Sequence, residues 1–173
     1  MTAAASVDQR WSRDWSLPRL DRAHLDRLDD DGVASALSAV RVLADDARKN
    51  KLFGMYPDSG PRRRGLYRQH MAFFNLGAKC RTRCFMAANR TGKTEGGGGF
   101  EVALHLTGLY PEWWTGFRFS KPVDAWAAGD TKETVRDIVQ AKLLGTREAP
   151  GTGLVPHDAI LRTMLRQNGN GEI

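Results

Sequence analysis

The sequence predicts an α/β fold, in which a partial parallel sheet is preceded by a mostly helical N-terminal region. Two short apolar runs, residues 83–87 and 123–128, contain no Gly or Pro and are typical of buried strands. A helical pattern follows each run. Because strand–helix–strand–helix order produces a parallel sheet with right-handed crossovers, we expect both strands in one sheet.

Two helices are predicted before the first strand. The first starts near Val33, is capped by Asp30 or Asp31 and lasts about four turns. The second occupies residues 66–77 and ends at a glycine. Residues 1–30 hold two tryptophans among alternating charges, and we interpret them as a loosely held arm.

Two more helices alternate with the strands. Phe100 and the residues at i+3, i+4 and i+7 share one face, which predicts a helix over 100–107. After the second strand, Asp130 and Glu133 form a predicted capping box, and the helix that begins there is expected to stop at Gly145.

The junction between the first strand and the helix at Phe100 holds the main functional motif. Residues 87–94 read Ala-Ala-Asn-Arg-Thr-Gly-Lys-Thr, and a Gly-Lys-Thr that joins a strand to a helix is the context of a P-loop. The full pattern has a glycine where Ala87 stands, so the match is incomplete. Chance occurrence is the alternative, but the flanking elements favour a phosphate site.

A P-loop predicts ATP and Mg²⁺ as cofactors. Backbone N–H groups at the helix start face the phosphates, and the helix dipole favours negative charge there. Lys93 would reach the β- and γ-phosphates, and the Thr94 hydroxyl would ligate Mg²⁺. The residues predicted to line the nucleotide in this loop are Ala88, Asn89, Arg90, Thr91, Gly92, Lys93 and Thr94.

The glycine run 96–99 follows the motif directly. Each glycine costs about 1 kcal/mol relative to alanine inside a helix, so propensity alone does not predict a helix here. Close approach of the backbone to a phosphate or to the neighbouring sheet is one physical reason to accept that cost. A flexible linker is the alternative.

Three segments in order, 51–78, 84–114 and 125–154, resemble the ATPase domain of a tailed-phage terminase large subunit. This motor packages viral DNA into capsids, and in the full-length protein ATP hydrolysis drives DNA translocation. The resemblance implies double-stranded DNA, a small terminase subunit and the portal as partners, with the host cell cytoplasm as the location. It also implies a bacteriophage or prophage origin.

The resemblance divides the chain into three regions. Residues 1–50 are an N-terminal arm and helix, 51–154 are the front part of a P-loop ATPase domain, and 155–173 are a divergent or truncated tail. We expect the chain to be a remnant or fragment, and a decayed prophage gene, a frameshift or contig-edge artefact and a split gene are the open origins.

Further site residues follow from the same resemblance. Terminases contact the adenine upstream of the P-loop, where Tyr67 can stack on the base and Gln69 can bond its edge. A core tyrosine and a solvated glutamine are the alternatives. Arg90 is a candidate arginine finger that would act with Lys93 in catalysis, and a surface or ion-paired arginine is its alternative.

A complete hydrolytic site is not recognisable in the sequence. An ATPase of this type needs an acidic residue at the end of a later apolar strand. Asp124 lies inside a predicted strand, Asp130 opens a helix, and Asp158 follows Pro-His. A nuclease domain with clustered carboxylates is also not recognisable, so enzyme activity of this chain stays an open question.

The bulk composition is compatible with this interpretation and with two rivals. The net charge of +6 suits a polyanion, although many basic proteins bind none. No apolar run is long enough for a membrane span, and two cysteines cannot complete a zinc site unaided. The rivals are a helicase-type P-loop ATPase fragment and a non-catalytic nucleotide- or DNA-binding module.

Overall fold

The computed structural model of the chain describes residues 7–15 and 21–163, and its regular elements are helical. None of the described helices combines the length and the apolar composition that crossing a membrane requires. The α-helices are α1 (Val7–Ser12), α2 (Arg22–Leu25), α3 (Asp30–Lys49), α4 (Arg68–Gly77), α5 (Phe100–Thr107), α6 (Lys132–Thr134) and α7 (Ala141–Leu144). The π-helices Lys93–Gly99 and Val135–Gln140 lead directly into α5 and α7, and short 3₁₀-helices occupy Lys51–Gly54, Arg64–Leu66 and His157–Ala159.

The predicted α/β fold, a partial P-loop parallel sheet, is wrong for the described residues. Their only β pairing is one isolated antiparallel bridge, between Gly145 and Pro150. Residues 83–87 and 123–128 form no ladder with each other or with another segment among those described. A strand exists only where a neighbour accepts and donates its backbone hydrogen bonds, and apolar content alone does not supply one. Trp126 is 98% exposed, so 123–128 is not a buried segment either.

The predicted helices are confirmed, with corrections at their starts. Helix α3 is capped by Asp29, whose carboxylate accepts from the Gly32 N–H at 2.9 Å, and not by the two aspartates that follow. The helical segment over 132–144 is capped by Thr131 instead of the predicted capping box. Its predicted stop at Gly145 and the stop of α4 at Gly77 are confirmed.

The core forms around Phe100, the first residue of α5, which is fully buried. Aromatic rings from separate segments surround it, with ring centroids 5.0 to 6.4 Å away. These rings are Trp11, Tyr56, Phe74, Trp113 and Trp114. Helix α5 is therefore the central element of the described structure, and the predicted phosphate loop lies at the start of the helix that leads into it.

The N-terminal segment 7–15 is not the loosely held arm that the sequence predicts. The Trp11 ring packs edge-on against Phe53 at 4.9 Å. The Arg10 guanidinium donates to Asp158 at 2.8 Å and to Asn50 at 2.6 Å. Residues 1–6 and 16–20 of the predicted arm, and 164–173 of the predicted tail, lie outside the described residues, and the domain boundaries stay predictions.

The glycine run is helical and closely packed, which excludes the flexible-linker alternative for it. A Cβ on Gly96 would lie 2.7 Å from the Tyr56 hydroxyl, and one on Gly97 would lie 2.9 Å from the Phe85 ring. A Cβ on Gly99 would lie 3.0 Å from Leu154 Cδ1. Three of the four glycines thus permit the close approach expected from the sequence, although their partners do not belong to a sheet.

This packing predicts opposite effects for two neighbouring alanine substitutions. Gly97→Ala forces a methyl group into the Phe85 ring and should lower the free energy of unfolding by about 1–3 kcal/mol. Gly98→Ala is the matched control, because its nearest neighbour would be a backbone oxygen at 3.9 Å. It should raise stability by about 0.4–1 kcal/mol in urea titrations. Equal effects of the two substitutions would contradict the packing.

A buried ion pair joins α5 to the segment before the loop. The Arg83 guanidinium donates to both carboxylate oxygens of Glu101, at 2.9 and 3.0 Å, and to the Phe73 carbonyl at 2.7 Å. Glu101 is 5% exposed. A charge in such a site is stabilised by its partner and not by water, so each residue depends on the other.

Removal of one partner should therefore be costly. We expect Arg83→Met to lower the free energy of unfolding by about 3–5 kcal/mol, because it leaves the Glu101 carboxylate buried without its cation. Arg136→Met breaks the exposed pair with Asp137 and should change stability little. Chemical denaturation of both variants measures the difference, and a similar small loss in each would refute the role of Arg83.

Stability should also depend on the protonation of His70, which is 6% exposed. Burial lowers the pKa of His70, and a hydrogen bond to the backbone of Thr91 offsets this only in part. The unfolded histidine titrates near pH 6.5 and takes up a proton before the folded one does. The contribution of neutral His70 is therefore complete above about pH 6.5 and is lost as the pH falls through the folded pKa. Denaturation from pH 7.5 to 5 should show a weaker pH dependence in His70→Asn than in the wild type.

Candidate functional site

The candidate loop, residues 87–92, folds back on itself before the helix begins. Arg90 and Gly92 both have left-handed backbones, with φ of 62° and 81°. Glycine adopts this conformation freely, whereas arginine is rare there and marks local strain. The Thr91 hydroxyl donates to the Ala88 carbonyl at 2.9 Å, and this hydrogen bond links the two sides of the turn.

The Lys93 side chain lies across this loop. Its ammonium group donates to the carbonyls of Ala87 at 2.5 Å and Ala88 at 2.7 Å. These contacts are with uncharged backbone oxygens, so they hold the cation without neutralising it. The loop thus carries a half-buried positive charge whose partners are dipoles.

The start of the helix offers backbone donors beside that charge. Gly92 is the N-cap and its residue type supplies no side-chain acceptor, while the Gly92 carbonyl accepts from the N–H groups of Gly96 at 2.7 Å and Gly97 at 3.0 Å. The π-helix and α5 are continuous over Lys93–Thr107, so their peptide dipoles point positive charge toward the loop. This is the arrangement that anions bind at helix N-termini.

The other loop residues predicted to touch a nucleotide lie at the surface. The exposed ones are Ala88, Asn89, Arg90, Thr91, Gly92 and Thr94. Their exposure leaves them accessible to a ligand in solvent. Among the described residues, no three His, Cys, Asp or Glu side chains are grouped so that they could hold a metal ion.

The two residues predicted to contact the adenine have different surroundings. The Tyr67 ring is partly buried, stacks on His70 at 5.6 Å and meets Tyr56 edge-on at 5.3 Å. Gln69 is exposed on α4. Tyr67 therefore already has aromatic partners, while Gln69 faces solvent.

Sequence reasoning missed His70, which is the α4 residue that reaches the loop. A Cβ on Gly92 would lie 3.4 Å from the His70 ring, and the Tyr56 hydroxyl lies 3.2 Å from His70 Nδ1. The available signal was a polar ring on the apolar stripe of α4.

Glu95, which directly follows the motif, was also missed. Its carboxylate accepts from Lys142 at 2.7 Å and also pairs with Lys51. Partial burial opposes its ionisation, but the two lysines outweigh that effect and hold the pKa of Glu95 below its ordinary value. The helix start is thereby tied to α7 and to the 3₁₀-helix at Lys51.

Comparison with known proteins identifies a relative of this chain. No family model matches the chain, and no solved structure matches it. The terminase large subunit of Salmonella phage P22 is 38% identical over 110 residues, which covers 55% of this chain and 22% of the relative. A continuous match of that extent includes the middle of a 173-residue chain, where the candidate loop lies. The comparison therefore confirms the resemblance to a terminase large subunit over the part of the chain that it covers.

Proposed function

We propose that residues 87–94 bind the phosphates of MgATP. The half-buried Lys93 ammonium group, the helix start and the left-handed turn at Gly92 support this, because together they offer positive charge and backbone donors to an anion. In the bound state Lys93 would exchange its carbonyl partners for phosphate oxygens. Thr94 would ligate the magnesium ion.

The whole-protein role is proposed from the similarity to the P22 protein, which is the observation that carries it. We infer that the chain belongs to a phage DNA-packaging apparatus in which ATP hydrolysis drives movement of double-stranded DNA. We also propose a small terminase subunit and the portal as partners, and the host cytoplasm as the location. The net charge of +6 supports a polyanionic partner.

Two residue roles remain part of the proposal. Arg90 would stabilise charge on the transferred phosphoryl group, and its exposed position on the loop leaves it able to approach a ligand. The adenine would lie near α4, where Gln69 is exposed and Tyr67 is partly buried. The non-catalytic nucleotide- or DNA-binding module is the second candidate function, because the sequence contains no recognisable acidic residue at the end of a later apolar strand.

Nucleotide binding should depend on Lys93. We expect Lys93→Ala to weaken MgATP binding about 10- to 100-fold, because it removes a charge-assisted contact to the phosphates. Isothermal titration calorimetry on the full chain measures the affinity. Lys121→Ala removes the same charge from an exposed site elsewhere and should leave the affinity unchanged.

Equal affinities of the wild type and Lys93→Ala, at equal folded fractions, would overturn the phosphate-loop assignment. Phosphate release measured on the same samples separates the two candidate functions. Lys93-dependent turnover supports a catalytic site, whereas Lys93-dependent binding without turnover supports the non-catalytic module.

A further inference from the structure

A buried hydrogen-bond chain runs from α4 to the backbone of the helix start. The Tyr56 hydroxyl donates to the Gly96 carbonyl at 2.7 Å, and it lies 3.2 Å from His70 Nδ1. Tyr56 is 4% exposed and His70 is 6% exposed. Three segments that are distant in sequence therefore meet through polar atoms inside an otherwise aromatic core.

The direction of these bonds follows from proton counting. The Tyr56 hydroxyl has one proton, and that proton goes to the Gly96 carbonyl. The contact with His70 is then a hydrogen bond in the tautomer that carries the ring proton on Nδ1, from which the N–H donates to the tyrosine oxygen. Burial raises the pKa of Tyr56, with a smaller contribution from Tyr67, so its hydroxyl stays a donor through the neutral pH range.

The tyrosine hydroxyl binds the Gly96 carbonyl at a point where the helix is locally irregular. In an α-helix the Phe100 N–H would donate to Gly96, but here it donates to the carbonyls of Glu95 and Gly97. The tyrosine hydroxyl binds the carbonyl that this shift leaves without its α-helical donor. The approach is possible because Gly96 has no Cβ, which would lie 2.7 Å from the hydroxyl.

The same histidine also contacts the loop in front of the helix. Its ring lies 3.4 Å from the position of a Cβ on Gly92. Phe85 meets the ring edge-on at 5.2 Å and Tyr67 stacks on it at 5.6 Å. His70 is thus fixed on several sides and touches both the loop and, through Tyr56, the first helical turn.

We propose that Tyr56 and His70 are positioning residues for the candidate phosphate loop. They hold the Gly96 carbonyl and the turn at Gly92 in place, so that the N–H groups of the first turn face the ligand. The inference rests on the proposed function, because this positioning affects binding only if the loop binds phosphate.

The test compares two Tyr-to-Phe substitutions that remove similar hydrogen bonds. Tyr56→Phe should weaken MgATP binding about 5- to 50-fold, from the loss of a buried hydrogen bond at the loop. It should also speed hydrogen exchange of the amides in residues 92–99. Tyr110→Phe is the matched control, because the Tyr110 hydroxyl contacts His105 Nδ1 at 2.9 Å and the Phe119 N–H at 3.0 Å. It should change neither quantity.

A second pair of substitutions tests the histidine. His70→Asn keeps an N–H donor near the Nδ1 position, whereas His70→Leu keeps only apolar volume. We expect His70→Asn to retain more MgATP affinity than His70→Leu. Urea titrations of all variants identify the folded fraction at which affinities are compared.

The outcomes separate this inference from the proposed function. Absence of Lys93-dependent MgATP binding in the wild type overturns the proposed function and, with it, the positioning role. Lys93-dependent binding that Tyr56→Phe leaves unchanged, or that Tyr110→Phe weakens equally, overturns the positioning role alone. Unchanged hydrogen exchange of the amides in residues 92–99 of Tyr56→Phe also overturns the positioning role. Equal affinities of His70→Asn and His70→Leu for MgATP overturn the positioning role of His70.

Discussion

The close approach of aromatic side chains to the glycine-rich helix start is the constraint on which the described structure depends. The Tyr56 hydroxyl and the Phe85 ring occupy the space that Cβ atoms of Gly96 and Gly97 would need. Because Tyr56 also packs against Phe100 at 5.0 Å, the same contact joins the candidate loop to the core. Glycine lowers helix propensity, and here the packing of aromatic rings offsets that cost.

Charged side chains hold the same helix on two further sides. Glu95 at its start pairs with Lys51 and Lys142, and Glu101, the second residue of α5, pairs with Arg83. The two sites differ in burial, since Glu95 is partly exposed and Glu101 is almost fully buried. Water screens the first more than the second, so the Arg83 pair constrains the segment before the loop more strongly.

Local features of the fold could be predicted from the sequence, and non-local ones could not. Helical periodicity and the stops at Gly77 and Gly145 depend on residues within a few positions of each other. The strands depended on neighbours that the sequence does not identify, and no sheet is present among the described residues. The predicted capping residues were wrong by as little as one position, because consecutive residues such as Asp29 and Asp30 are equally suitable in type. In the candidate site, the loop at 87–94 could be recognised as a local motif. The hydrogen bond from Tyr56 to Gly96 could not be predicted, because it joins residues 40 positions apart.

For the proposed phosphate ligand, the two ends of the site have different tasks. The Ala87 and Ala88 carbonyls that hold Lys93 would repel an anion at the same place, so binding requires the ammonium group to exchange these partners for phosphate oxygens. That exchange involves exposed residues at the front of the loop. The rear, where the helix begins, is fixed by buried Tyr56 and His70. An anion site gains affinity when its donors are ordered before the ligand arrives. In this chain the ordered part is the helix start, which carries the backbone N–H donors.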